Sequence, residues 1–233
     1  MMRTFWLRAI ALALIAGVFA VRPMAAGEPT KKELETSQNN LKQIMLAVIN
    51  SSDANNGRMP MNITDKDGRP LLSWRVAILP YIEQDNLYKA FKLDEPWDSD
   101  HNKKLIEKMP KLYAPVRVKA KAGETFYQTF FGEGALYGSK NAPTFPASIT
   151  DGTVNTVFVV EAGDPVIWSR PVDLPFAEKR PLPKLGGLFD GDFHVGMCDG
   201  SVMRFKKDYD LDEMIKAIMP ADGNVIDFGK LTK

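Results

Sequence analysis

The chain has 233 residues, 45% of them hydrophobic and 25% charged, an ordinary globular composition with enough apolar material for one good-sized core. Lys and Arg number 30 against 29 Asp and Glu, a formal net charge of +1, so bulk charge gives no reason to expect a nucleic-acid partner. The single cysteine, Cys198, excludes an intrachain disulfide.

The N-terminal stretch carries Arg3 and Arg8, then an apolar run from Ala9 to Val21, then small residues. That run is shorter than the roughly 20 apolar residues of a membrane-spanning helix, and the order matches a secretory signal peptide. Residues 1–26 are therefore expected to be a signal peptide, cleaved after Ala26 or, as second choice, after Ala20. Residues 27–233 would then form a single domain in the periplasm or at the cell surface, not embedded in the membrane. The alternative is a protein anchored by an uncleaved N-terminal segment. Loss of Arg3, Arg8 and Arg22 takes the net charge from +1 to −2.

Residues 31–52 read as a helix, with Leu34, Leu41, Ile44, Met45 and Val48 near a three-to-four spacing and Gln38, Asn39, Lys42 and Gln43 on the other side. "TDKDGRP" is a turn. Its likeness to a calcium loop stops short of the later ligands and the closing Glu of an EF-hand. Residues 71–91 read as mostly helical, interrupted at Pro80, with a second short helix capped by Asp85. An acidic loop, "LDEPWDSDH", follows, and then another short helix capped by Asp98 or Ser99.

After about residue 112 prolines, glycines and β-formers dominate. "TFYQTFF", "NTVFVVEAG", "PVIWS", "DFHVGMC" and "SVMRF" read as strands. "LPFAEKRPLPKLGG" is a long connection. "DYDLDEMIKAIM" reads as a helix with Asp210 and Glu213 spaced as a capping box, and "ADGNVIDF" as a last short strand. Helices first and strands second is an α+β order.

Asp199-Gly200 between two apolar runs predicts a hairpin with a type I′ turn, pairing Cys198 with Ser201 and His194 with Phe205. His194 and Cys198 then share a face about 13 Å apart at 3.3 Å per residue. Zinc ligands each sit about 2.0–2.3 Å from the ion, and a Cys–His nucleophile pair needs hydrogen-bond reach. Both residues are therefore expected to be structural, unless a bulge at Gly196 bends the strand. No catalytic residue and no cofactor is assigned. Asp94, Asp98 and Asp100 around Trp97 are weak calcium candidates. Trp74, Trp97 and Trp168 are possible ligand-stacking surfaces, although tryptophans in such a chain are more often core.

"SQNNLKQIMLAV", "LLSWRVAILPYIEQDNLYKAFKLDEPWDSDHNKKLIEKMP", "ITDGTVNTVFVVEAGDPVIWSRPVDLPF" and "KLGGLFDGDFHVGMCDGSVMRF" together resemble the bacterial DUF1559 family over most of residues 37–206. The resemblance implies a pilin-like or pseudopilin-like exported protein, with a long N-terminal helix packed on an antiparallel sheet and short inserted helices. The family also carries a solute-binding label. Two departures stand out. A signal peptide replaces the prepilin segment and its apolar stalk, and the histidine many members carry ten residues before Asp-Gly is here Phe189. The reading is an exported, non-enzymatic α+β protein acting by interaction with an envelope partner. The alternatives are a small-solute or carbohydrate binding module and, behind it, a hydrolase using the acidic loop 94–100.

Overall fold

A computed structural model describes residues 27–138 and 142–233. The signal-peptide reading of residues 1–26 lies outside that range. The chain begins with α1 (Lys31–Ala54), whose start is fixed by a capping box: the Glu33 amide donates to Thr30 Oγ1 at 3.2 Å and the Thr30 amide to Glu33 Oε2 at 2.7 Å. The short strands β1 (Ile63–Thr64) and β2 (Pro70–Leu72) then pair with each other, and α2 (Trp74–Ala77) and α3 (Asp85–Ala90) follow. Leu71 and Leu72 thus belong to a strand and not to the expected helix. The Ser73 hydroxyl accepts from the Arg75 amide and starts the helix only there. Asp85 is the first residue of α3, not its cap.

The main sheet is antiparallel, in the order β3 (Glu124–Gln128), β5 (Val157–Ile167), β7 (Phe193–Met197), β8 (Val202–Phe205). "TFYQTFF" is not one strand. The Thr129 amide donates to Asp173 Oδ1 at 3.0 Å and its hydroxyl to the Phe158 carbonyl at 2.6 Å. The chain therefore leaves the sheet after Gln128, and β4 (Phe130–Phe131) pairs in parallel with β6 (Leu174–Pro175). "NTVFVVEAG" and "PVIWS", read as two strands, are one. Pro165 lacks an N–H but is tolerated because the pairing with β3 shifts register between Thr125 and Tyr127.

Alternation along β7 divides the core. Phe193, Val195 and Met197 face the helix α4 (Leu211–Ile218), meeting Met214, Ala217 and Ile218. His194, Gly196 and Cys198 face α1. There Leu41, Ile44, Met45 and Val48 are buried together with Phe158, Val159 and Trp74. Gly196 is what lets α1 lie this close, since a Cβ there would sit 2.7 Å from Met45 Cγ. The bulge lies opposite it, in β5 between Val157 and Val159, so β7 itself stays regular.

The α+β class stands. The hairpin register is one residue away from the expected one: Phe193 pairs with Phe205, His194 with Arg204 and Gly196 with Val202. The Gly200 amide donates to the Met197 carbonyl and the Met197 amide to the Ser201 carbonyl, both at 2.9 Å. Gly200 alone in this turn has positive φ, at 90°, so the turn is a three-residue loop closed by a glycine bulge, not type I′. "ADGNVIDF" forms no strand. Asp227 caps a short 3-10 turn, and its amide donates to Glu213 Oε2, so Glu213 does not complete the expected box at Asp210.

Candidate functional site

Three neighbouring strands place Tyr127, Glu161 and His194 in a row on the α1 side of the sheet, and α1 lowers Ser37 and Asn40 onto it. Glu161 has no solvent exposure. Its Oε1 accepts from the Ser37 hydroxyl. Its Oε2 accepts from the His194 amide at 2.7 Å and lies 3.2 Å from His194 Nδ1. The Ser37 hydroxyl also lies 3.1 Å from that of Tyr127, to which Asn40 Nδ2 donates at 3.5 Å. Serine, carboxylate and imidazole thus meet, but with the carboxylate between the other two. A nucleophile relay needs the imidazole next to the hydroxyl, and Ser37 is fully enclosed. The row anchors the polar half of α1, satisfying each buried donor and acceptor it brings in.

A second buried pair joins distant segments. Arg75 Nη2 lies 2.5 Å from Asp173 Oδ1, and both side chains are unexposed. Arg75 also donates to the Tyr127 carbonyl and the Ser73 hydroxyl, and Asp173 accepts from Trp74 Nε1 at 3.2 Å and from Thr129. Burial pushes the Asp173 carboxyl above its ordinary range, while the Arg75 charge pulls it back.

An accessible groove of about 730 Å³ with an aromatic wall lies between the β1–β2 turn and the loop after β4. Phe131, stacked on Tyr137 with ring centroids 5.1 Å apart and planes at 17°, forms that wall with Met61 and Pro70. Asn62, Lys66 and Asp67 supply its polar side.

A family model described as "Protein of unknown function (DUF1559)" matches residues 35–146. Over those residues the chain is similar to DUF1559. No curated protein and no solved structure matches the chain. The DUF1559 stretch is shorter than the resemblance read over residues 37–206. It contains Ser37, Asn40, Arg75, Tyr127 and both walls of the groove; Glu161, Asp173 and His194 lie beyond it.

The structure treats the residues singled out in the sequence differently. Trp74 and Trp168 are core, at 0% exposure. Trp74 is edge-on to Phe158, and Trp168 is stacked on Tyr113, with its indole N–H on the Ile106 carbonyl. Neither presents a face to a ligand. Trp97 is half-buried, with the Arg170 guanidinium 5.3 Å from its ring centroid. Asp94, Asp98 and Asp100 are exposed, and Asp100 pairs with Lys103. No group of three or more His, Cys, Asp or Glu able to hold a metal exists among the described residues. Asp199 and Gly200 make the turn, Asp199 Oδ1 accepting from the Ser201 amide and hydroxyl. Burial pushes the Cys198 thiol up, away from the nucleophilic thiolate, and the Asp199 charge adds to this. His101 is exposed, its Nε2 2.8 Å from the Ala90 carbonyl.

Sequence reasoning missed Glu161, Arg75 and the groove. A charge inside an apolar run, as in "VFVVEAG" and "LSWRVAIL", was the available signal for the first two. The groove had none, because its walls are about 60 residues apart in the chain.

Proposed function

We propose that this protein is exported to the cell envelope and acts there by binding, not by catalysis. One observation carries the reading. The groups that resemble catalytic machinery are enclosed and committed to one another, while the Phe131 groove is open and reachable. Export is supported by the charged, apolar, small order of residues 1–26. The pseudopilin-like comparison is supported by α1 lying across an antiparallel sheet. Among the described residues no helix is long and apolar enough to cross a membrane. N-terminal sequencing of protein from the native envelope should begin near Gly27, and an intact Met1 would sink the cleavage reading.

The groove favours one further reading, a small polar solute or carbohydrate. An aromatic wall beside an amide, an ammonium and a carboxylate suits an uncharged ligand with apolar and hydroxyl faces. A panel of neutral sugars should raise the melting temperature of the intact protein, and Phe131→Ala should abolish that rise. A rise that survives Phe131→Ala would remove the groove from the reading.

A further inference from the structure

Charge is unevenly spread over the folded body. Between Asp100 and Glu124 the chain carries seven basic residues and three acidic ones, a net +4. Residues 27–233 total −2, so everything outside this stretch sums to −6. Lys104, Lys108, Lys111, Lys119 and Lys121 are all exposed, and none of them forms an ion pair among the described residues.

The fold gathers them. Trp168 ties the two ends of the stretch together, its amide donating to the Gly123 carbonyl at 2.9 Å and its indole N–H to the Ile106 carbonyl at 3.0 Å. Lys121 is thereby drawn toward the 3-10 segment Asn102–Lys108 that carries Lys104 and Lys108. Lys111 lines a second groove, of about 570 Å³, together with Lys32 of α1. Arg117 is the clamp. Its side chain is 2% exposed, donates to Asp190 at 2.6 Å and also reaches the Gly27 carbonyl. The Lys111–Arg117 part of the strap, with Lys32, therefore lies beside the point where residues 1–26, with their apolar run Ala9–Val21, join the body.

We infer that the lysine strap 104–121, with Lys32, is a docking surface for the anionic headgroups of a lipid bilayer. The clustered unpaired ammonium groups call for a multiply anionic partner. The choice of a bilayer over another polyanion rests on the reading of residues 1–26 as membrane-directed: the segment that would bring the chain to a membrane joins it at this face. Arg117 is spent on Asp190 and the Gly27 carbonyl, and holds the strap in place without contacting lipid.

The chain from Gly27, which contains every described element, should co-sediment with vesicles of equal parts phosphatidylglycerol and phosphatidylcholine, and not with phosphatidylcholine alone. Raising the salt from about 0.01 M to about 1 M shortens the screening length from about 30 Å to about 3 Å and should release it. Each lysine at an anionic surface contributes about fivefold in affinity, so Lys104→Gln/Lys108→Gln/Lys121→Gln should bind about a hundredfold more weakly. Circular dichroism and melting of that variant should be unchanged, because these side chains make no ion pair. The control Lys179→Gln/Lys207→Gln should bind like the parent. Equal binding to neutral vesicles, or an unaltered triple variant, would overturn the inference. Lysine-dependent binding to soluble dextran sulfate that outcompetes the vesicles would reassign the surface to a soluble polyanion. An intact Met1 on the native protein would sink the cleavage reading and leave each of these outcomes as decisive.

Discussion

Arg75 and Asp173 lie 98 positions apart and neither touches solvent. Removing one ion of a buried pair leaves the other uncompensated, a loss of about 3–5 kcal/mol. Arg75→Met should destabilise by that order, and the loss should depend on pH. Burial already holds the Asp173 carboxyl above its ordinary range, against the pull of Arg75. Without the guanidinium it rises further. A carboxyl raised in the folded state leaves stability intact below its unfolded value, about 3.9 for Asp, and removes it as pH climbs through the folded value. The gap in melting temperature between parent and Arg75→Met should therefore widen from acid toward neutral pH. A gap that stays constant would mean Asp173 is not the group left stranded. Nothing in the sequence joins these two residues. Periodicity reports which side of an element is buried, and a charge brought in from a distant loop has no period.

At the scale of single elements, the hairpin shows how far local pattern reaches. Asp199-Gly200 between apolar runs located the turn and put His194 and Cys198 on one face, as found. The register came out one residue different because two- and three-residue loops both accept Asp-Gly, and tertiary contacts decide between them. The Cys198 amide donates to the Thr156 carbonyl and the Asp199 amide to the Thr153 carbonyl, which draws Cys198 into the loop. The glycine requirement holds in either loop, since Gly200 has φ of 90° and an added Cβ would reach Ile49 at 3.4 Å. Gly200→Val places a β-branched side chain where L-residues are strained, and should cost about 1–2 kcal/mol or more in chemical denaturation. An unchanged midpoint would mean the turn relaxes to another shape without loss. The apolar stripe of α1 was legible for the same reason the turn was: both are short-range. The boundary at Leu71 and Leu72 was not, because an apolar pair after a proline fits a strand as well as a helix until Ser73 is seen capping α2.

For the molecule as a whole, the order of helices before strands was enough to give α+β, while the groove and the polar row required the assembled sheet. α1 has 24 residues, about 36 Å at 1.5 Å per residue, so it is long enough for a pilin stalk. Its chemistry is against that role. Lys31, Lys32, Glu33, Glu35, Gln38, Asn39 and Asn40 occupy its first half, and Leu41, Ile44, Met45 and Val48 are already buried on the sheet. The chain from Gly27 should therefore remain without filaments in negative stain and sediment as small particles. Ordered filaments formed without a partner would show that the stalk is dispensable.

The packing of α1 on β7 also sets an order of events in time. The helix is synthesised first among the described elements, and the strand against which Met45 closes is made near the end. Until Phe193–Met197 has emerged, the stripe Leu41, Ile44, Met45 and Val48 lacks the β7 part of its cover, although Trp74 and Phe158 are made earlier. Contacts between such remote parts of a chain form slowly, and the waiting surface is the kind that holding chaperones occupy. The layer between α1 and the sheet is thus closed only when the chain is nearly complete.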